Sequence, residues 1–335
     1  MRCPRHDVVD VGTRGPCPGC VQMLQDVPMH AWMGSLPEEV RSLHSISELA
    51  LPCCHNAGAL AVKCIPRCTL AGFVGEALAD VWIVEALASP IARRAAVCQA
   101  LTVDLQLRAG VRVLDFRIGV HLEEFHICHG VVCDLFLRQA LHQVGTFLAA
   151  SQDEVVVVLI KADWEHRADF EPLEEDLSVC DVWRKLQDLI VEVLGDFLRD
   201  QADERDQLAL SLRDLVATGQ RALVLVQAPP EVELCRVLHM SSANLRSSWR
   251  DDTKTVGDMI VVLSEWQAAG LLSPKLGQLR LLEVALPGTP CALASAAQEA
   301  FCDFIGDGPL AVGVNLDFPS PETLRWIVGK NWEKR

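Results

Sequence analysis

Along this chain, short β-branched apolar runs alternate with longer stretches whose apolar residues recur at helical spacing. Val111-Arg112-Val113-Leu114-Asp115-Phe116 and Glu154 to Ile160 read as parallel strands buried on both faces. Arg221 to Val226, Leu279 to Val284 and Leu310 to Leu316 read the same way. Between them, Leu137, Ala140, Leu141, Val144, Phe147 and Leu148 mark one face of a helix. Val182, Leu186, Leu189, Ile190, Val193, Leu194 and Phe197 mark another, and Ala292 to Phe304 predicts a third. Strand and helix alternating from Leu49 onward predict a parallel α/β fold. No glycine-rich turn follows the first strand, so a (β/α)8 TIM-type barrel, distorted or incomplete, is expected rather than a dinucleotide-binding sheet.

The first 45 residues lack this periodicity and are rich in Cys, Pro and Gly. They are expected to form a short extension, with one barrel domain over 46–335. Cys3-x-x-His6 and Cys17-x-x-Cys20 have the spacing of zinc ligands. A structural zinc is one reading of them. The other is coincidence in a chain with 14 cysteines.

Charge narrows the partners. A net charge of −15 without a basic stripe argues against nucleic acid, because a phosphate backbone would be repelled. Contact with an anionic membrane must then be local and peripheral. No apolar run reaches the roughly 18 residues of a spanning helix, and Met1-Arg2-Cys3-Pro4 does not open like a signal peptide. A cytoplasmic protein, with most cysteines reduced and buried, is the expectation.

Candidate chemistry gathers where strands end. His55-Asn56 closes the first, Asp115-x-Arg117 the second and His129-Gly130 the next short one. Lys161 ends the following apolar run and Asp317 the last. In a parallel barrel all strand C-termini open on one face, so residues remote in sequence can meet there. Two imidazoles supply a base and an acid, and a guanidinium can clamp phosphate oxygens bidentately. Such a set suits phosphodiester cleavage. His121 and His126 are read as structural. Arg246, Trp249 and Arg250 are read as a loop anchored by its tryptophan, with lipid contact at the rim as the other reading.

The order and spacing of these motifs carry a resemblance. Leu51-Pro52-x-x-His55-Asn56-x-Gly58, Gln106-Leu107-Arg108-Ala109-Gly110-Val111-Arg112-x-x-Asp115-x-Arg117 and His129-Gly130 resemble the X domain of phosphatidylinositol-specific phospholipases C. So does the Asp-Glu-Val-Val-Val-Val strand, and Asn315-Leu316-Asp317-Phe318 looks like that family's last barrel strand. The match is strong over 48–162 and weaker over 310–330. The resemblance implies an inositol phospholipid as substrate. It further implies His55 as base toward the inositol 2-hydroxyl, His129 as acid toward the diacylglycerol oxygen, and a cyclic inositol phosphate as product. Asp317 would orient His55, Arg117 would hold the phosphate, and Asp115 would fix that guanidinium or a substrate hydroxyl. Asn56 and Lys161 would contact substrate.

Arg117 stands where the calcium-dependent branch is expected to carry a carboxylate, and Lys161 lies near another such place. The resemblance therefore points to the metal-independent branch, with no catalytic cofactor. Asn56 replaces an aspartate expected to pair with the acid histidine, and Gln227 replaces a cation expected to meet inositol. Those two departures keep an alternative open, a weak or inactive descendant that binds phosphoinositide headgroups or a protein partner. A glycerophosphodiesterase is a third reading, disfavoured because that chemistry wants a carboxylate-bound metal.

Overall fold

A computed structural model of the protein describes residues 27–64, 94–121, 124–162, 179–199, 206–250, 252–286 and 291–333. Cys3, His6, Cys17 and Cys20 lie outside the described residues.

The strands are, in chain order, β1 (Leu51–Cys54), β2 (Val62–Cys64), β3 (Val113–His121), β4 (Glu124–Cys128), β5 (Val132–Phe136), β6 (Val156–Ala162), β7 (Ala222–Val226), β8 (Leu238–His239), β9 (Leu245–Ser247), β10 (Leu279–Glu283) and β11 (Gly313–Leu316). Eight of them pair in parallel in the order β9-β10-β11-β1-β3-β6-β7-β8. β8 and β9 are consecutive in sequence but share no ladder among the described residues, so the ring is a barrel left unclosed at that seam. The distorted, incomplete (β/α) barrel expected from the hydrophobic pattern is the fold found.

Alternation along each strand divides the core. Leu51, Cys53, Val113, Val157, Leu159, Leu223, Leu225, Leu279 and Leu281 pack together as the lumen. Cys54, Leu114, Phe116, Val156, Val158, Ile160 and Val224 face outward instead, under the helices. The helix Leu137–Ala150 buries the stripe read from its spacing, Leu137, Ala140, Leu141, Val144, Phe147 and Leu148. At the N-terminal end of the barrel, Trp32, Met33, Leu36 and Val40 join the lumen cluster. Residues 27–45, assigned to an extension on composition, thus plug the barrel floor in their described part. Beneath them Arg112 is fully buried. Its guanidinium donates to Glu154 Oε2 at 2.8 and 2.5 Å, and to the carbonyls of Leu107, Val111 and His30.

One departure from a plain barrel positions a site residue. β3 runs past the rim, and β4 folds back antiparallel on it with Ile127 opposite Ile118. Two residues further on, His129 has returned to the level of the barrel mouth. Gly130 follows at φ +68°, a left-handed turn that glycine adopts without strain, and His129 N donates to Val131 O. Gly58, at the end of the first motif, lies so close to β4 that a Cβ there would sit 2.8 Å from Ile127.

Candidate active site

The same alternation that builds the lumen carries on to its mouth. Asp115 and Arg117 follow Val113 at two-residue steps, Lys161 follows Leu159, and Glu283 follows Leu281. His55 follows Cys53, and Asn315 with Asp317 follow Gly313. An apolar lumen therefore becomes a polar, charged rim at the strand C-terminal ends. It is there that the five strand ends singled out in the sequence converge.

His55 and Asp317, 262 residues apart in sequence, meet at 2.9 Å, with the Asp317 carboxylate accepting from Nδ1. The parallel register that sets Cys54 against Leu316 brings them together. His129 stands across the cleft, its ring centroid 5.8 Å from that of His55 and at 82° to it. On the neighbouring strands Lys161 Nζ donates to Asp115 Oδ2 at 3.0 Å. Asn315 Nδ2 bridges at 2.8 Å to Glu283 Oε2, whose other oxygen accepts from Ser247. Asp115 thus takes Lys161 as its hydrogen-bonded cation, while Arg117 acts on it through charge.

Backbone strain marks the same place. Asn56 (φ 44°) and Phe318 (φ 43°) adopt the left-handed region directly after His55 and Asp317. For a phenylalanine that conformation costs on the order of 1–3 kcal/mol, sustained only where surroundings enforce it. Here Phe318 N donates to Cys98 O, and Gln298 Nε2 donates to the carbonyls of both Asp317 and Phe318. Gln99 Nε2 donates in turn to the carbonyls of His55 and Leu316, stapling the ends of β1 and β11.

Charge and burial shift the titrating groups in opposed ways. Burial alone would lower the pKa of His55, yet the Asp317 charge and hydrogen bond outweigh it and raise the imidazole well above its ordinary value. Burial also lowers His129, and the neighbouring Cys98 more than restores it, so that this imidazole too is raised. Cys98 is pulled down: burial and Asp317 disfavour the thiolate, but His129 and His55 favour it more. Burial would raise Asp115, and Lys161, Arg117 and His55 hold it below the usual carboxylate range.

Two readings of single residues are corrected. Asn56 stands in place of an aspartate expected to pair with His129. Its amide instead reaches His55 Nε2 at 3.1 Å and Cys98 Sγ at 3.7 Å, and Cys98 is the side chain that touches His129, with Sγ 3.4 Å from Nδ1. The carbonyl of Ala96 accepts from the same nitrogen at 3.1 Å, so Nε2 is the nitrogen of His129 left to serve a reaction. Trp249 is more than a loop anchor. Its indole stacks on His55 at 5.5 Å and 25°, roofing the imidazole. Trp249, Arg250 and Glu283 line a cleft beside it. His126 is buried against Phe136 with Nδ1 near Cys133 O, in keeping with a structural role. Gln227 is exposed at the end of β7.

Cys98 and Glu283 escaped notice for different reasons. Cys98 belongs to no motif and reaches the site through loop hydrogen bonds, Cys98 N to Ala59 O among them. Glu283 did leave a trace, an acid closing its strand on the lumen-facing register of Leu279 and Leu281.

No family model matches the chain. It is 31% identical over 139 residues to the human PI-PLC X domain-containing protein 1, a match covering 40% of this chain and 38% of that protein. The chain thus aligns with well under half the length of that curated relative. In three dimensions it resembles the phosphatidylinositol-specific phospholipase C from Listeria monocytogenes, with a TM-score of 0.62 and 17% identity over 91% of this chain and 99% of the other. A histidine-to-tyrosine mutant of the Staphylococcus aureus phosphatidylinositol-specific phospholipase C gives 0.65 at 13% identity, covering 92% and 97%. A further structure of that enzyme, concerned with modulation of its membrane binding, gives 0.62 at 12%, covering 90% and 97%. The sequence resemblance to X-domain proteins and the barrel fold of the bacterial enzymes coincide in this chain.

Proposed function

We propose that this protein cleaves the phosphodiester of an inositol phospholipid, with His55 as base, His129 as acid and Arg117 as the cation on phosphate. The observation that carries the reading is the facing pair of imidazoles, one held by a buried carboxylate 2.9 Å away and the other 5.8 Å across the cleft. In its neutral form His55 takes the proton of the inositol 2-hydroxyl. The oxygen so activated attacks phosphorus, and the bond from phosphorus to the glycerol oxygen breaks. His129, protonated at Nε2, delivers its proton to that leaving oxygen, giving diacylglycerol and a cyclic inositol phosphate. Arg117 holds the non-bridging oxygens as charge gathers on them. Asp115 stays ionised because Lys161 is bonded to it, and can accept a ring hydroxyl. Asn56 steadies the imidazole of His55, and Lys161 adds positive charge beside the phosphate.

A calcium ion fits this mouth poorly. It needs about six to eight oxygen ligands. Of the mouth's carboxylates, Asp115 is already bonded to Lys161 and sits in the field of Arg117, and Asp317 is bonded to His55. Contact with the bilayer would be peripheral; among the described residues no helix is long and apolar enough to cross a membrane.

His55 is only 5% exposed beneath Trp249, and this closure favours the second reading, a headgroup binder with little turnover. Phosphatidylinositol in mixed micelles, with chelator present, separates the two. Turnover that survives chelation and falls about 10²- to 10⁴-fold in His55→Ala and in His129→Ala supports the enzyme. Full activity in either variant refutes the assigned roles, and headgroup binding without turnover supports the binder.

A further inference from the structure

We infer that the same mouth is a binding site for zinc, formed by Cys98, His129, His55 and Asp317, and that zinc held there inhibits the protein. The inference concerns ligand chemistry and holds whether or not the lipid reading does. One ligand atom from each of His55, Cys98 and Asp317 lies within 4.8 Å of the other two, and all three residues are buried. His129 Nδ1 adds a fourth at 3.4 Å from Cys98 Sγ. Ligand atoms about 2.0–2.3 Å from a tetrahedral zinc stand roughly 3.3–3.8 Å from one another, so small side-chain movements close the shell.

The donor set selects the ion. One thiolate, two imidazoles and a carboxylate suit a borderline-soft divalent metal and leave calcium or magnesium short of oxygens. Binding would release the protons that His129 Nδ1 and His55 now share with their partners. A ligated His55 can no longer pair with Asp317 as the base, and a His129 ligated through Nδ1 keeps its proton at Nε2 but, never becoming an imidazolium, gives it up far less readily. Asn56 Oδ1 is buried without a hydrogen-bond partner, and an amide turned over would present that oxygen toward the ion.

Cobalt is the probe, because a thiolate bound to Co2+ gives a near-ultraviolet charge-transfer band. The reduced full-length chain is titrated with Co2+, and the same titration of Cys98→Ser is subtracted, which removes any contribution from Cys3, Cys17 and Cys20. The expected result is a saturable difference band that zinc abolishes. Zinc affinity, measured by competition with a chelating dye, should fall at least roughly 10- to 100-fold in Cys98→Ser. His129→Gln, a second variant that keeps the thiol, should also weaken zinc. A difference spectrum without a band, or zinc affinity unchanged in both variants, overturns the site. If lipid cleavage is measurable, zinc should inhibit it in the parent and far less in Cys98→Ser. Tight zinc binding without inhibition would overturn the inhibitory role alone. Absence of lipid cleavage, by contrast, would count against the enzyme reading and leave the metal result standing.

Discussion

Replacing Asp317 by Asn tests the geometry of the proposed base most sharply. The carboxylate is 5% exposed and 2.9 Å from His55 Nδ1, and its charge is what lifts that imidazole against the lowering effect of burial. An amide of the same shape keeps the contact but loses the charge. If its NH2 turns to Nδ1, the ring must carry its proton on Nε2, the nitrogen needed to accept one. General-base assistance is worth about 10²- to 10⁴-fold, or roughly 3–5.5 kcal/mol of transition-state stabilisation. The loss should therefore fall on kcat in that range with little change in KM. The main chain at 317 is pinned independently by Gln298, so the thermal melt should move little. The pH profile should change in a stated direction. His55 must be neutral to act and its pKa is raised, so activity in the parent rises through the raised value as pH increases. Without the Asp317 charge, burial dominates, and the acidic limb moves to lower pH. The assay is release of water-soluble inositol phosphate from phosphatidylinositol in mixed micelles, with chelator, over a broad pH range. A kcat within about twofold of the parent, with the acidic limb unmoved, would refute the reasoning.

Two other predictions follow from packing. Gly58→Ala places a Cβ 2.8 Å from Ile127 Cγ1 and 3.0 Å from Leu135 Cδ2, so β4 must retreat by about 1 Å and carry His129 with it. A misplacement of that size costs about 10²-fold in kcat, and full activity would show that the hairpin yields elsewhere. Glu154→Ala leaves Arg112 buried and unpaired, which should lower stability by about 3–5 kcal/mol in urea unfolding. Arg112→Met with Glu154→Leu should recover most of that loss, and a double variant no better than the single would sink the account.

The architecture was legible because buried parallel strands are written as apolar β-branched runs. The strands read at Glu154 to Ile160 and Leu310 to Leu316 are present, although the first spans Val156–Ala162 and the second begins only at Gly313. His55, Asp115, Arg117, His129 and Asp317 were legible through motif order, since a barrel sends every strand end to one mouth. What escaped depends on non-local loop geometry. Nothing in Ala96-Val97-Cys98-Gln99 says that its main chain will bond Ala59 on one side and Phe318 on the other, delivering a thiol between two imidazoles. The stack of Trp249 on His55 escaped for a related reason: their distance in sequence gives no hint of it. The role expected of Asn56 failed on direction. Its left-handed φ aims the side chain at the adjacent histidine, and no strand-based register could foresee that.

The seam between β8 and β9 has a mechanical consequence. Across it, among the described residues, the ladder gives way to a turn in which Asn244 N and Leu245 N donate to Ser241 O, and to the side-chain amide of Asn244. That amide donates to His239 O and accepts from Ser241 N, while the Asn244 carbonyl accepts from Leu279 N. A wall fastened through a side-chain amide yields more readily than one fastened by repeated rungs. Trp249 stands two residues beyond β9, so the indole roof belongs to a strand paired on one side only, while the imidazole below it rides on β1, paired to both neighbours. The imidazole is therefore braced from two sides and the indole over it from one.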